Sequence, residues 1–188
     1  MSPEDFARFL EIAKSKDFPV QIIWAGKPYP EDFNAINIFN EIYWKTKELP
    51  NCTMLTGYEL WLSGHLKKGS DVWLNNPRLY HEASGTSGMT AAMNASVNLS
   101  IPDGWIPEFS KHGHNSFLIG TADDALSPEA KDKAEAANLL DVLSKEIIPM
   151  YYGTPSKWTD IVKAGMTEVL PFFDSGRMVD EYYEKMYK

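Results

Sequence analysis

A single cysteine, Cys52, stands in 188 residues. That excludes an internal disulfide and fits a reducing compartment, so the cytoplasm is the expected location. Long apolar runs are also missing: none approaches the roughly 18 to 20 residues that span a bilayer. The opening MSPEDFARF is acidic where a signal peptide is basic and then apolar, so no membrane span or address is expected. Basic residues are outnumbered, 18 Lys and Arg against 26 Asp and Glu, for a net charge of −8. Such a surface repels phosphodiester backbones, and nucleic acid is not an expected partner. Internal repeats, low-complexity tracts and flexible linkers are absent as well. The four histidines include His112 and His114 in a His-x-His pattern, but no carboxylates stand at ligand spacing, and no metal site is expected.

What is present supports a core. Apolar residues make up 44% and aromatics 13% of the chain, with six Trp and nine Tyr. Such a length and composition fit one domain, 1–188, of which about 127–188 is a mainly helical tail. Ser2, Pro3, Glu4 and Asp5 give the signature of a helix start, running to about Lys16. They also suggest that the chain begins inside a longer protein.

Pro19 to Ala25 is nearly continuous in apolar residues, as a strand buried on both faces would be. Residues 30–48 carry apolar side chains at helical spacing, acidic early and lysine-rich late, which predicts a crossover helix. Cys52–Leu55 reads as a strand, Tyr58–Leu66 as a helix, Asp71–Leu74 as a strand, 86–94 as a helix, and Val97–Ser100 and 117–120 as strands. Helices are expected over 128–148, 155–170 and 174–187, separated by Pro149, Pro155 and Pro171. The alternation predicts an α/β, Rossmann-like, doubly wound parallel sheet with helices on both faces. Its ligands would sit beyond the carboxyl ends of the strands.

One turn concentrates chemistry. Glu82-Ala83-Ser84-Gly85-Thr86-Ser87-Gly88-Met89-Thr90 follows a strand and opens a helix. Amides freed by Gly85 and Gly88, with the hydroxyls of Ser84, Thr86 and Ser87, suit a phosphate or a row of sugar hydroxyls. Glu82 can accept hydrogen bonds from hydroxyls. Composition alone is equally compatible with an ordinary Ser/Thr/Gly helix cap.

The order of residues goes further. Asp71-Val72-Trp73-Leu74-Asn75-Asn76-Pro77-Arg78, EASGTSGM from 82 to 89, Ala91-Ala92-Met93-Asn94, Asn98-Leu99-Ser100 and Asp103-Gly104-Trp105 closely resemble the α-glucan (glycogen, maltodextrin) phosphorylase family, most of all its shorter, bacterial-type members. Upstream, Ala25-Gly26-Lys27 and Gly57-Tyr58 fit the same register, so that roughly Val20 to Gly120 is covered. The resemblance implies the C-terminal half of a two-domain, GT-B type glycosyltransferase. There pyridoxal phosphate assists inorganic phosphate in cleaving an α-1,4-glucosyl bond to give glucose 1-phosphate. It implies that Glu82, Ser84 and Gly85 contact the glucosyl hydroxyls, that Thr86, Ser87 and Gly88 cradle the cofactor phosphate, and that Tyr58 lines the cofactor pocket.

The family's cofactor-bonding lysine should follow the methionine of this turn, and Thr90 stands there instead. A hydroxyl forms no imine, so any pyridoxal phosphate would be held noncovalently. Thr90 also occupies the place where nucleotide-sugar transferases of this architecture often carry a second glutamate. Three readings follow: a phosphorylase-like enzyme, a glycogen synthase-like transferase using a nucleotide sugar, or a noncatalytic glucan-binding relative. The partners implied are a glucan or glucose phosphate and the missing N-terminal domain, without which the piece is expected to be inactive.

Other residues carry expectations of their own. Asp103 and Glu108 do not make a hydrolase pair; Asp103 is expected to shape the Pro102-Asp103-Gly104 turn, and Trp105 to fill the core rather than stack on a sugar. His114 or Asn115 is a candidate contact to sugar or cofactor phosphate. Phe172, Phe173, Tyr182, Tyr183 and Tyr187 mark terminal helices whose apolar face, if uncovered, would promote a homodimer.

Overall fold

A computed structural model of the chain describes residues 3–187; Ser2, read above as a helix cap, lies outside them. The described residues fall into two compact units, 3–64 and 65–187. Each is built on a parallel sheet.

The first unit contains α1 (Pro3–Ala13), β1 (Ile22–Ala25), α2 (Phe33–Thr46) and β2 (Cys52–Leu55). β1 and β2 pair in parallel, with Ile22 opposite Cys52 and Ala25 opposite Leu55. The crossover helix α2 begins at Asp32, whose carboxylate accepts the Ala35 N–H at 2.9 Å. Asn51, just before β2, donates to Ala13 O at 2.8 Å and to Val20 O at 2.7 Å. That single amide ties the ends of three segments together. The expectation that β1 is buried on both faces fails. Ile23 is 49% exposed, and its register partner Thr53 is exposed beside it, so the apolar run signals one covered face and one open face. The division between the units falls within α3 (Leu60–Gly69).

The second unit holds β3 (Val72–Asn75), β4 (Val97–Ser100) and β5 (Phe117–Leu118), in the order β3-β4-β5 and all parallel. α4 (Thr86–Ala92) connects β3 to β4, and the short α5 (Ile106–Phe109) follows β4. β4 is the buried centre, with all four residues inaccessible. Side chains alternate across a strand, so Val97 and Leu99 enter one cluster with Phe117, Val142, Ile147, Trp158 and Ile161. Asn98 turns the other way, toward α4.

After β5 the chain is helical: α6 (Pro128–Val142), a π turn over Leu143–Ile147, α7 (Ile148–Gly153), α8 (Pro155–Phe173) and α9 (Ser175–Lys185). This stretch supplies core as well as covering. Trp158 stacks on Phe117, with ring centroids 6.5 Å apart, and Val169 is buried with Trp105, Ile106 and Phe109. Pro149 and Pro171 do not separate helices as expected. The Ile148 N–H reaches back to Leu143 O through the π turn, and that widened turn precedes Pro149 in α7, where a proline in the first turn lacks nothing it needs. Pro171 sits in the last turn of α8, where few following bonds remain to be lost. Pro155 does mark a helix start. α9 buries no residue, and Tyr182, Tyr183 and Tyr187 are exposed, whereas Phe173 packs inward.

Candidate functional site

The Glu82–Thr90 turn sits at the carboxyl edge of the three-stranded sheet, between β3 and α4. Gly85 is the N-cap of α4 with φ of 90°, and no side chain caps the helix. The ordinary reading of a Ser/Thr-rich turn requires such a cap, so that reading loses its support here. Among the described residues, the N–H groups of Gly85, Thr86 and Ser87 meet no protein acceptor. Ser84 and Thr86 are exposed, so the bend opens to solvent. Gly88 differs: it is buried, and its N–H donates to Gly85 O at 3.0 Å.

Three residues from the segment after β4 hold the bend. Asp103 accepts the N–H groups of His81 and Glu82 on one oxygen, both at 3.0 Å, and that of Gly104 on the other at 2.8 Å. It does more than shape its own turn. Burial works to raise the Asp103 pKa, yet the amides of Glu82, Gly104, His81 and Tyr80 together hold it below the ordinary 3.8. Trp105 donates its backbone N–H to Ser84 O at 2.9 Å. Its ring, 3% exposed, packs against Phe109 and Phe173 at 4.7 and 5.1 Å, which makes it core. Gly104, with φ of 59°, lies so close that a Cβ there would stand 2.6 Å from Ser84 O.

Below the bend an amide pair, the buried Asn98 and the half-buried Asn75, fixes α4. Asn75 donates to Asn98 Oδ1 at 2.8 Å, and Asn98 donates to Gly88 O at 3.1 Å. Residue-by-residue reading of the sequence missed both roles, although an asparagine in the middle of the apolar strand VNLS is the kind of signal that marks a satisfied buried polar group. Glu82 is half-buried, and among the described residues its carboxylate has no hydrogen-bonding or ionic partner. Thr90 turns inward, its hydroxyl donating to Thr86 O at 3.0 Å and Ser87 O at 3.1 Å. Tyr58 belongs to the first unit, where its hydroxyl donates to Ser63 Oγ at 2.8 Å.

The 111–116 loop is closed by its own contacts. Asn115, 2% exposed, accepts the Lys111 N–H and donates to Phe109 O and to Glu168, so its side chain has nothing left for a ligand. His114 bonds Glu168 at 2.6 Å and His112 bonds Glu146 at 2.8 Å. The hydrogen bond from His114, then those from Lys111 and Asn115, hold the Glu168 carboxyl below its ordinary value against the effect of burial. Among the described residues no group of three or more His, Cys, Asp and Glu is placed to hold a metal ion. No helix among them is long and apolar enough to cross a membrane.

No protein-family model matches the chain. A maltodextrin phosphorylase of Thermococcus litoralis is 38% identical over 189 residues, covering 97% of this chain and 22% of that protein. A glycogen phosphorylase of Aquifex aeolicus is 36% identical over 191 residues, covering 97% and 27%. By sequence, nearly the whole of this chain is similar to a stretch of α-glucan phosphorylases. An uncharacterized protein of Methanocaldococcus jannaschii is 46% identical over 185 residues, covering 98% of this chain and 34% of its own length. The chain spans between about a fifth and a third of the length of these relatives. Two solved structures share its fold, both with TM-scores of 0.62. One is the catalytic domain of starch synthase IV from Arabidopsis thaliana bound to ADP and acarbose, at 17% identity over 98% of this chain and 36% of that one. The other is the pneumococcal O-GlcNAc transferase GtfA in complex with UDP and GlcNAc, at 12% identity over 96% and 32%. The expected fold, parallel sheets flanked by helices, is the one observed, and it is shared with these two structures.

Proposed function

We propose that this chain is the C-terminal, cofactor-side part of an α-glucan phosphorylase-type glycosyltransferase. In a protein that also carries the N-terminal domain, α-1,4-glucan would be cleaved by phosphate to glucose 1-phosphate. One observation carries the reading: a solvent-open helix start with uncapped amides at Gly85, Thr86 and Ser87, flanked by the unengaged carboxylate of Glu82. Amides at a helix start favour an anion, and a carboxylate favours hydroxyls. Glu82, Ser84 and Gly85 are assigned to the glucosyl hydroxyls. Thr86 and Ser87 are assigned to the cofactor phosphate, with Gly88 packed beneath them.

The residues present fit pyridoxal phosphate in part. The amides suit its phosphate, whereas Thr90 offers no nitrogen and spends its hydroxyl on helix carbonyls. Thr86 and Ser87 would hold the group noncovalently; when bound, its phosphate supplies the proton partner for inorganic phosphate. The nucleotide-sugar alternative rests on fold likeness alone and has no residue in this bend to favour it.

The test is a titration of the chain with pyridoxal 5′-phosphate and, separately, with pyridoxal. Binding that requires the phosphate group, is weakened by Ser87→Asp, and leaves the protein mass unchanged after borohydride treatment is the expected result. Equal binding of the two compounds, or none, would remove the phosphate assignment.

A further inference from the structure

A second recess lies at the carboxyl edge of the same sheet. It has a volume of about 300 Å³ and opens between the loop after β3 and the start of α6. Its polar wall consists of Arg78, His81, Asp124, Lys131, Asp132 and Glu135, and Tyr80 also lines it. Every lining residue belongs to the second unit.

The charges in it are already matched. Arg78 grips Asp132 with two parallel bonds of 3.0 and 2.6 Å, and Lys131 meets Asp124 at 2.8 Å. Glu135 is in no close ion pair: it accepts a long 3.4 Å contact from the Ala122 N–H and feels the Lys131 charge at a distance. An incoming phosphate would meet two cations that are spent and one carboxylate that repels it. A neutral polyhydroxyl ligand meets the opposite situation, since Glu135 accepts from hydroxyls and the unused guanidinium and ammonium hydrogens donate to them. Leu79 and Leu126, also in the lining, supply the apolar patches that the CH faces of a sugar ring cover.

Tyr80 adds an aromatic face. The residue is 79% exposed, and its backbone is left-handed with φ of 67°, a conformation that suits glycine. Packing does not explain a large residue at such a position, because it stays largely exposed.

The geometry points to a saccharide subsite in this recess, one that holds a neutral glucosyl residue against Tyr80 and Glu135 and is separate from the Glu82–Gly88 bend. The recess is at the lower end of the usual size of ligand pockets, roughly 300 to 1,000 Å³. The subsite stands independently of the bend; only the choice of an α-1,4-linked probe rests on the proposed function.

Calorimetric titration of the chain with maltoheptaose tests it, with cellohexaose as linkage control. Tyr80→Gly is the decisive variant, because glycine relieves the left-handed strain while removing the ring. Its melting temperature should stay level or rise, and its affinity for maltoheptaose should fall on the order of tenfold; Glu135→Gln should weaken binding in the same sense. Retention of full affinity in Tyr80→Gly would overturn the subsite, whether or not Glu82→Gln abolishes binding. So would the failure of both oligosaccharides to bind, or competition by inorganic phosphate. Tyr80-dependent binding of cellohexaose without maltoheptaose would keep the subsite and count against the α-glucan reading.

Discussion

Trp105 Cδ1 stands 2.9 Å from the point where a Cβ on Gly85 would be. The glycine that frees the bend is therefore also the surface on which the indole is packed. Gly85→Ala combines that overlap with a φ of 90°, so a loss of about 1–3 kcal/mol is expected. Urea unfolding of the two proteins checks it, and the variant should also lose phosphate-dependent binding of pyridoxal phosphate.

Asn98 is 1% exposed and links Asn75 to Gly88 O. Asn98→Ala leaves the half-buried Asn75 amide and the buried Gly88 O without their partner. The expected cost is about 2–3 kcal/mol, read from the shift of the urea midpoint at an unchanged slope. Asn75→Ala on the same background should add less than its effect alone, since the pair acts as one unit.

Asp103 sets an acid limit. Its folded pKa lies below 3.8, so the folded state takes up a proton less readily than the unfolded one. The stabilisation is present above that ordinary value and is lost as the pH falls through the folded value. Asp103→Ala should be less stable than the parent at pH 7, and the gap should narrow below pH ~3.8. A gap independent of pH would show that the carboxylate charge is not what holds the bend.

The helical stretch after β5 is expected to be indispensable to the second unit. Trp158 is 8% exposed and packs on Phe117 and Tyr151. Trp158→Ala should cost about 3–5 kcal/mol, measured by thermal or urea unfolding. A cost below about 1 kcal/mol would mean that the helices merely adjoin the sheet.

Thr90→Lys restores the nitrogen that the family places after Met89. Thr90 is only half-buried, and its two hydroxyl bonds go to its own helix, so stability should change by no more than about 0.5 kcal/mol. After incubation with pyridoxal phosphate and borohydride, mass spectrometry should find a covalent adduct on the variant and none on the parent.

Much of this was legible in the residues. Cys52–Leu55 and Val97–Ser100 form strands over the stretches read from their apolar pattern, because short runs bounded by turn residues have few other places to go. The bend was legible through Gly85 and Gly88 and the order of its neighbours. Other features were hidden by their dependence on distant partners. Pro149 follows a π turn whose bond runs from Ile148 to Leu143, and Asn115 is consumed by Glu168, 53 residues away.

The sequence by itself determined the class of fold and the identity of the residues at the bend, including a threonine where chemistry of the family uses a lysine. Those properties follow from local periodicity, local turn chemistry and the presence or absence of a functional group. Only the tertiary structure decided that the start of α4 is left uncapped and open, that Asp103 and Trp105 clamp it, and that Arg78, Tyr80 and Glu135 gather around one recess. Each of these depends on which segments the parallel crossovers bring side by side, and that is fixed by long-range packing rather than by any single stretch of chain.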